Sequence, residues 1–331
     1  MRVVIAVLFA AVGYAQQPQV QNAKVETRAL QGTLDAQLRQ FGAGPYWAGY
    51  AEPMIPGRHG DMCWSNGNNN SNNSEQQHAT GAPVRLEGQT TLVMLVRIEN
   101  GQVDQLRVTS PDCLLDAGGL PFYWITGVTP EASVEWLKTR VAGDHADRAI
   151  LPIALHAGSA ADRALEDLIA TSQPDRVRER TAFWLGNSRG AHGVEVLKRM
   201  LAADPSQKVR EQVIFALSQS KDPAGIATVM DAAKNDKSPQ VRSRALFWLA
   251  QKAANKQAQD VIKGATVNDP ERSVKEQAVF ALKQLPEAQG VPLLIDVAKN
   301  NPDPAVRKKA IFWLGQSKDS RALDFFAQVL K

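Results

Sequence analysis

The stretch that decides the fold is VRERTAFWL, residues 177–185, because it returns four more times along the chain. The copies are VREQVIFAL at 209–217, VRSRALFWL at 241–249, VKEQAVFAL at 274–282 and VRKKAIFWL at 306–314. Their first valines are separated by 32, 32, 33 and 32 residues. A fixed period of this size is typical of a stacked repeat, in which each unit buries its apolar face against its neighbours.

Each copy has the pattern of an amphipathic helix, since Val177, Thr181 and Leu185 are four residues apart and share one face. A second helix is expected in every unit, because apolar positions recur at Val194, Ile226, Ala258, Val291 and Leu323, and again at Leu197, Val229, Val261, Leu294 and Phe326. Most units are preceded by an aspartate that suits the start of a helix, namely Asp204, Asp236, Asp269 and Asp303. Each unit is therefore predicted to be a helical hairpin.

Over residues 145–331 the pattern resembles the HEAT repeat family, in particular the short HEAT-like repeats of the phycobiliprotein-lyase type. The resemblance implies a mainly α fold, a right-handed α-solenoid of five to six antiparallel helix pairs. Members of that family perform many unrelated tasks, so the resemblance leaves the function open. The predicted domains are a signal peptide over 1–15, a small α+β domain over 16–143 and the solenoid over 144–331.

The residue before the repeated leucine alternates between large and small, in the order Trp184, Ala216, Trp248, Ala281 and Trp313. Counting backwards, ADRAILPIALHAG places Ala154 in the same slot, so residues 147–172 are predicted to form a degenerate first repeat. Each indole would fill space left by a neighbouring alanine, which favours a core position. An aromatic ligand box is the alternative.

The first fifteen residues have the pattern of a secretory signal. Arg2 precedes the apolar run 3–12, and small residues end at Ala15, where cleavage is expected. This run is too short to cross a bilayer, and no later segment reaches that length. We expect an exported bacterial protein, in the periplasm or outside the cell, that does not span a membrane. Residues 53–65 and 112–125 also resemble segments that precede HEAT repeats in exported bacterial proteins.

Charge is distributed unequally along the chain. Residues 173–331 hold 26 Lys and Arg against 17 Asp and Glu, net +9, whereas residues 1–172 hold 12 against 17, net −5. A basic solenoid would suit nucleic acid, but export argues against that partner. An acidic protein, or the acidic half of the chain itself, is the better candidate, and a plain solvated surface is the alternative.

The region ahead of the repeats gives weaker signals. A stripe of Leu30, Leu34, Leu38 and Phe41 predicts one helix over 22–41. The Gly, Pro and aromatic residues that follow predict irregular structure or short strands, and the Asn-rich stretch 66–77 predicts a polar loop.

Two strands are predicted more clearly, over 90–99 and 102–109. They are joined by Asn100-Gly101, the dipeptide that best adopts the dihedrals of a tight hairpin turn. A third strand is predicted over 122–127, and Thr129 with Pro130 would begin a helix.

Cys63 and Cys113 are the only cysteines, and in an exported chain we expect them to form a disulfide. A metal site built from His59, Asp61, Cys63 and perhaps His78 is the alternative, but its spacing matches no standard zinc pattern. We therefore predict no metal and no cofactor.

Three enzymatic interpretations are possible, and the sequence argues against each. GNSRG, residues 186–190, matches the nucleophile elbow around Ser188, yet that motif needs a strand before the serine and here ends a helix. The corresponding places in the other repeats read SQSKD, AQKAA, KQLPE and GQSKD. HEAT-like repeats also form an iron hydroxylase that uses His-Glu pairs, which this sequence lacks, and cytoplasmic phycobiliprotein lyases, whose location conflicts with a signal peptide.

A basic residue follows each repeated valine: Arg178, Arg210, Arg242, Lys275 and Arg307. Resemblance to related repeats implies that this ladder pairs with acids of neighbouring repeats, with Asp175 and the four aspartates named above as partners. A stripe that binds a partner protein is the alternative, although unpaired like charges in a row would repel one another.

Phenylalanine occupies one position in all five repeats, about 240° round the helix from the valine: Phe183, Phe215, Phe247, Phe280 and Phe312. Either the rest of the chain covers this row or a partner protein does, and Phe325 and Phe326 at the last helix pose the same question. We predict a non-catalytic, exported scaffold that binds a protein partner or associates with itself. An enzymatic site ahead of the repeats, or lyase-like chaperone activity of the repeats, is the alternative.

Overall fold

The computed structural model describes residues 17–56, 62–63, 90–141, 146–252 and 255–329. The predicted signal peptide, the Asn-rich loop and His59, Asp61 and His78 lie outside these ranges. The chain divides into two compact units, 1–162 and 163–331.

The first unit combines a sheet with short helices. Its strands are β1 (Val20–Gln21), β2 (Val25–Ala29), β3 (Tyr46–Pro53), β4 (Thr91–Glu99), β5 (Gln102–Thr109), β6 (Leu115–Asp116) and β7 (Phe122–Thr126). Its helices are α1 (Leu34–Arg39), α2 (Pro130–Lys138) and α3 (Ala146–Leu155). Five strands form one sheet in the order β2-β7-β3-β4-β5, and β1 pairs separately with β6.

The hairpin of β4 and β5 is confirmed. Asn100 and Gly101 both have positive φ, 53° and 68°, as a tight turn between antiparallel strands requires. The third strand is confirmed as β7, and the Thr129 hydroxyl accepts a hydrogen bond from the Ala132 N–H to start α2.

The prediction of one helix over 22–41 is wrong. Residues 25–29 pair in parallel with β7, and Gly32, with φ of 74°, separates this strand from α1. Of the apolar stripe, Leu34 and Leu38 lie on α1, whereas Leu30 follows β2 and donates its N–H to the Thr126 carbonyl of β7. Strand pairing outweighs the local periodicity here. The Gly- and aromatic-rich segment that follows is β3, an eight-residue strand in the middle of the sheet.

Strand β3 is buried on both faces. One face meets α1 and α2, where the Tyr46 hydroxyl donates to the Leu38 carbonyl. On the other, a Cβ on Gly49 would lie 3.0 Å from the Phe122 ring and 3.2 Å from Trp124. The absence of a side chain at Gly49 lets these aromatic rings pack directly on the strand.

The disulfide between Cys63 and Cys113 is present, with the two Cα atoms 5.4 Å apart. Because both sulfur atoms are used in the disulfide, they cannot act as thiolate ligands. Nearby, the Met62 N–H donates to the buried Ser110 hydroxyl at 3.0 Å.

The second unit contains five helical hairpins, which confirms the predicted repeats. Helix α4 (Ser159–Leu168) contains the division between the units. The hairpins pair α5 (Asp175–Ser188) with α6 (Gly190–Ala203), α7 (Gln207–Gln219) with α8 (Pro223–Asn235), α9 (Pro239–Lys252) with α10 (Lys256–Asn268), α11 (Arg272–Gln284) with α12 (Glu287–Asn300), and α13 (Pro304–Leu314) with α14 (Ser320–Val329). The first helices pack on one another more extensively than the second helices do.

The predicted valines and leucines form the core of these hairpins, but two other expectations are wrong. Leu323 is 64% exposed, because Ala322 and Phe325 provide the buried face of the last helix. Of the four aspartates expected to start helices, Asp303 caps α13 directly, whereas the others end the preceding second helix.

The predicted degenerate repeat corresponds to α3 and α4. The end of α3 is hydrogen-bonded to residues at and just after the end of β3, since the Ile55 N–H donates to the Leu155 carbonyl and the Ala157 N–H to the Pro53 carbonyl. Ala154, the residue assigned to the repeated slot, is fully buried.

Candidate functional site: the face of the first helices

The phenylalanine row is only partly covered by the described chain. Phe183, Phe215, Phe247 and Phe280 are half-buried, and Phe312 is 54% exposed. They lie on the side of the first helices that turns away from the repeated valines and leucines, as the 240° offset predicts. Neither the second helices nor neighbouring repeats bury this row fully.

The tryptophans join the same surface, which corrects their assignment to the core. Trp248 lies 4.7 Å, between ring centroids, from Phe215 of the preceding repeat, and Trp313 lies 5.3 Å from Phe280. The small residues between them, Ala216 and Ala281, are fully buried and leave room for each indole to reach back. The alternation of Trp and Ala therefore serves contact between repeats, with every indole half-buried.

We call the eight side chains of this surface the aromatic row: Phe183, Trp184, Phe215, Phe247, Trp248, Phe280, Phe312 and Trp313. Phe183 stacks on Phe215 with ring centroids 5.9 Å apart. The Arg180 guanidinium lies 5.6 Å from the Phe183 ring centroid, within the range of a cation–π contact. Contacts of this kind hold the rings in fixed positions.

Ion pairs between repeats cross the same face. Lys208 binds Glu179 at 3.1 Å, Arg244 binds Glu211 at 3.5 Å, and Lys309 lies 3.8 Å from Glu276. Each glutamate of the face is thereby matched by a cation of the next repeat. Arg180 and Lys308 are additional exposed cations on this face, so positive charge is in excess there.

A groove of about 460 Å³ lies at the centre of the face. It spans α7, α9 and α11, and its lining includes Phe247, the Arg244 and Glu211 pair, and the polar side chains of Gln240, Ser243, Ser273 and Gln277. One aromatic side chain among polar ones can contact a peptide segment through apolar surface and hydrogen bonds.

The arginine ladder lies elsewhere and is largely buried. Arg178 donates to Asp204 at 2.8 and 3.0 Å, and Arg242 donates to Asp269 at 2.7 and 2.8 Å, so each forms a bidentate pair with the aspartate that ends the second helix of its own hairpin. Asp175 also accepts from Arg178. Hydrogen bonding to the aspartate raises the pKa of both guanidinium groups, so each stays charged.

The other ladder residues differ from this pattern. Arg210 donates to the carbonyls of Asp204 and Pro205, and Arg307 donates to those of Asn301 and Pro302. These bonds satisfy backbone groups at the end of the preceding second helix. Lys275 is half-buried, and the residue that ends the second helix of its hairpin, where an aspartate would pair with it, is Asn301. The ladder therefore holds repeats together and offers little surface to a partner.

The apolar residues near the end of the last helix are only partly exposed to solvent. Phe325 is 4% exposed and packs on Phe326 with ring centroids 5.4 Å apart. Its burial contradicts the prediction that it contacts a partner. Phe326 is half-buried. Among the described residues, the large apolar side chains exposed on the last hairpin are Ile311, Phe312, Leu323 and Val329.

The GNSRG motif has the wrong structural context for catalysis. Ser188 ends α5, so a helix stands where the nucleophile elbow requires a strand. His192 lies 3.5 Å from Glu166, on an exposed surface.

The first unit contains a buried polar chain that the sequence did not reveal. His156 places Nε2 2.8 Å from the Ser133 hydroxyl and Nδ1 2.7 Å from the Pro152 carbonyl, and the Tyr50 hydroxyl lies 2.9 Å from Ser133. Since the carbonyl only accepts, Nδ1 carries the proton and Nε2 accepts from Ser133. All three side chains are fully buried, so this serine and histidine tie β3, α2 and α3 together and are closed to a substrate.

Glu52 lies on the same face of β3 as Tyr50, two residues further on. It is 2% exposed, and neither carboxyl oxygen has a hydrogen-bond partner among the described residues. Burial, with a smaller contribution from the Glu131 carboxylate, raises the pKa of Glu52 to about 8. The carboxyl group is therefore mostly protonated at neutral pH.

We expect the Glu52→Gln variant to be more stable than the parent at pH 7, by up to about 3 kcal/mol. The unfolded chain ionises near pH 4.5 and the folded chain near pH 8, so this group's stabilising contribution is complete below the lower value and declines as pH rises between them. Denaturant unfolding at pH 5, 6, 7 and 8 measures the difference, which should grow with pH. Glu99→Gln, on the exposed end of β4, is the control; parallel curves for Glu52→Gln and the parent would contradict the prediction.

Comparison with known proteins supports the repeat assignment. The family model for HEAT repeats matches residues 163–250 and 259–331. No curated protein sequence is similar to the chain at a significant level. Among the described residues, every helix is too short or too polar to cross a membrane.

Three solved structures are similar to parts of the chain. The complex of CpcE and CpcF of phycocyanin lyase from Nostoc sp. PCC7120 is 22% identical, with a TM-score of 0.36, over 47% of this chain and 99% of that one. Human deoxyhypusine hydroxylase is 15% identical, with a TM-score of 0.27, over 60% and 90%. Kap95p, solved with RanGDP, is 15% identical, with a TM-score of 0.36, over 59% and 33%. These scores carry no functional argument. Through residues 163–331, with their five helical hairpins and their match to the family model, the chain belongs to the HEAT-repeat proteins.

Proposed function

We propose that this protein is a non-catalytic, exported scaffold that binds a protein partner on the face of its first helices. The observation that carries the proposal is the aromatic row, which the described chain leaves half-buried and, at Phe312, mostly exposed. Aromatic side chains in a fixed arrangement are typical anchors of protein interfaces. A HEAT-repeat solenoid presents such a surface over several units.

Charge indicates the kind of partner. The glutamates of the face are matched by cations of neighbouring repeats, and Arg180 and Lys308 add positive charge. An acidic protein segment would complement this surface and would bind more weakly at high salt.

Export is supported by the signal-like residues 1–15 and by the Cys63–Cys113 disulfide, since disulfides persist in oxidising compartments. The partner would then be a periplasmic or extracellular protein. Among the described residues, the one serine–histidine pair found in the first unit is buried, which favours binding over catalysis.

Affinity capture from an envelope extract tests the proposal. We expect the parent protein to retain a specific partner, and the Phe247→Asp and Phe312→Asp variants to lose it while remaining folded. Val267→Asp is the matched control, because Val267 is an exposed apolar residue on a second helix, 43% exposed. Equal capture by all four proteins, or none by the parent, would overturn the proposal.

Self-association is a second candidate, favoured by the exposed apolar residues of the last hairpin. Leu323 and Val329 are 64% and 60% exposed, a larger fraction than most large apolar side chains of soluble proteins show. Sedimentation of the parent and of Leu323→Asp tests it: a dimer that dissociates in the variant supports the idea, and a monomeric parent rejects it.

A further inference from the structure

A row of carboxamides runs beside the aromatic row. In every repeat the residue four places after the phenylalanine is Asn or Gln: Asn187, Gln219, Gln251, Gln284 and Gln316. Residues four apart lie on the same side of a helix, one turn along. Gln219 and Gln284 are half-buried, and the other three are exposed. The GNSRG-like segments at the ends of the first helices therefore share this carboxamide as their constant feature.

A carboxamide matches a peptide group, because each offers a donor and an acceptor. Phenylalanine gives no such hydrogen bonds, so the two rows supply different parts of one contact: apolar surface from the rings and hydrogen bonds from the amides one turn away. The ion pairs and the excess of cations described above lie on the same helix faces, nearer the start of each helix.

The spacing of the repeats selects the conformation of the ligand. Adjacent packed helices are about 8–10 Å apart. Three residues of a polyproline II chain rise about 9 Å, return to the same side and leave the backbone N–H and C=O groups free. One such turn per repeat would bring the same side chain onto successive aromatic rings and the same peptide groups to successive carboxamides.

We propose that the carboxamide row binds the backbone of an extended, acidic segment of the partner protein, with one apolar side chain every third residue seated on the aromatic row. This inference rests on the proposed function and specifies its ligand. Acidic side chains between the apolar ones would meet Arg180 and Lys308, the cations of this face that no glutamate matches.

The test uses the full-length protein and a labelled peptide of about fifteen residues, Leu-Glu-Pro repeated five times, which would span about five repeats. We expect saturable binding by fluorescence anisotropy. The triple variant Gln219→Ala, Gln251→Ala, Gln284→Ala should bind about tenfold more weakly or worse, since each lost hydrogen bond contributes to the loss. Methylation of the peptide's leucine N–H groups should weaken binding to the parent similarly.

Controls separate this inference from general stickiness. Gln289→Ala removes a carboxamide from a second helix and should bind as the parent does. A peptide with lysine for glutamate, and one of the same composition with irregular leucine spacing, should bind weakly. Equal binding of the triple variant and the parent, equal binding of any control peptide, or no binding of Leu-Glu-Pro would overturn the inference. In that case the proposed function would still stand if the protein captured a partner and the Phe312→Asp variant did not.

Discussion

Replacing Arg242 by methionine is expected to lower the free energy of unfolding by about 3–5 kcal/mol, because it leaves the buried Asp269 carboxylate without its cation. Asp269 is 7% exposed, and its two oxygens accept from Arg242 at 2.7 and 2.8 Å. The guanidinium also donates to the Asp236 carbonyl at 2.9 Å. One substitution therefore removes contacts that join the ends of two successive second helices. Urea unfolding followed by circular dichroism measures the loss.

The chain offers a control and a natural precedent. Arg244→Met, two residues away, breaks an exposed pair and should cost less than about 1 kcal/mol. One repeat on, Lys275 and Asn301 replace the charged pair, and Asn301 donates instead to the Thr266 carbonyl at 2.9 Å. The double variant Arg242→Met, Asp269→Asn should therefore recover much of the loss. If the double variant were as unstable as the sum of both single variants, the charge explanation would be wrong.

The solenoid could be predicted from sequence because each repeat packs on a copy of itself. The same apolar pattern must then serve both sides of every contact, which makes the period visible in Val177 and its equivalents. The first unit has no internal repeat that would make its pattern visible in the sequence. The strand at 25–29 is specified by its pairing with β7, about a hundred residues later, and its local sequence alone suggested a helix.

The position of the aromatic row could be predicted from the sequence, but the exposure of its side chains could not. Helical periodicity placed the phenylalanines on a separate face of each helix. The contact of Trp248 with Phe215, across Ala216, could not be predicted because it depends on the distance between neighbouring repeats. The carboxamide row was visible in the sequence once the repeats were aligned. The burial of Glu52 was not, because it depends on elements far away along the chain.

The disulfide is expected to stabilise the first unit and to have little effect on the second. Replacing Cys63 and Cys113 together by serine is expected to lower the free energy of unfolding of that unit by about 4 kcal/mol, the chain-entropy estimate for a loop of 50 residues. The bond joins the segment after β3 to the segment after β5, on either side of the β4–β5 hairpin. Without it, the unfolded chain gains conformations that the bond excludes, and the folded unit loses little contact area.

Hydrogen exchange measures the effect separately in each unit, because protection of backbone amides reports local unfolding. In the double serine variant, amides of β4 and β5 should exchange faster, whereas those of α7 to α12 should keep the parent's rates, since each unit has its own core. Reduction of the parent protein should reproduce the variant's pattern. Unchanged exchange in β4 and β5 would mean that the hydrophobic core of the sheet alone holds the first unit, and that the disulfide contributes little to its stability.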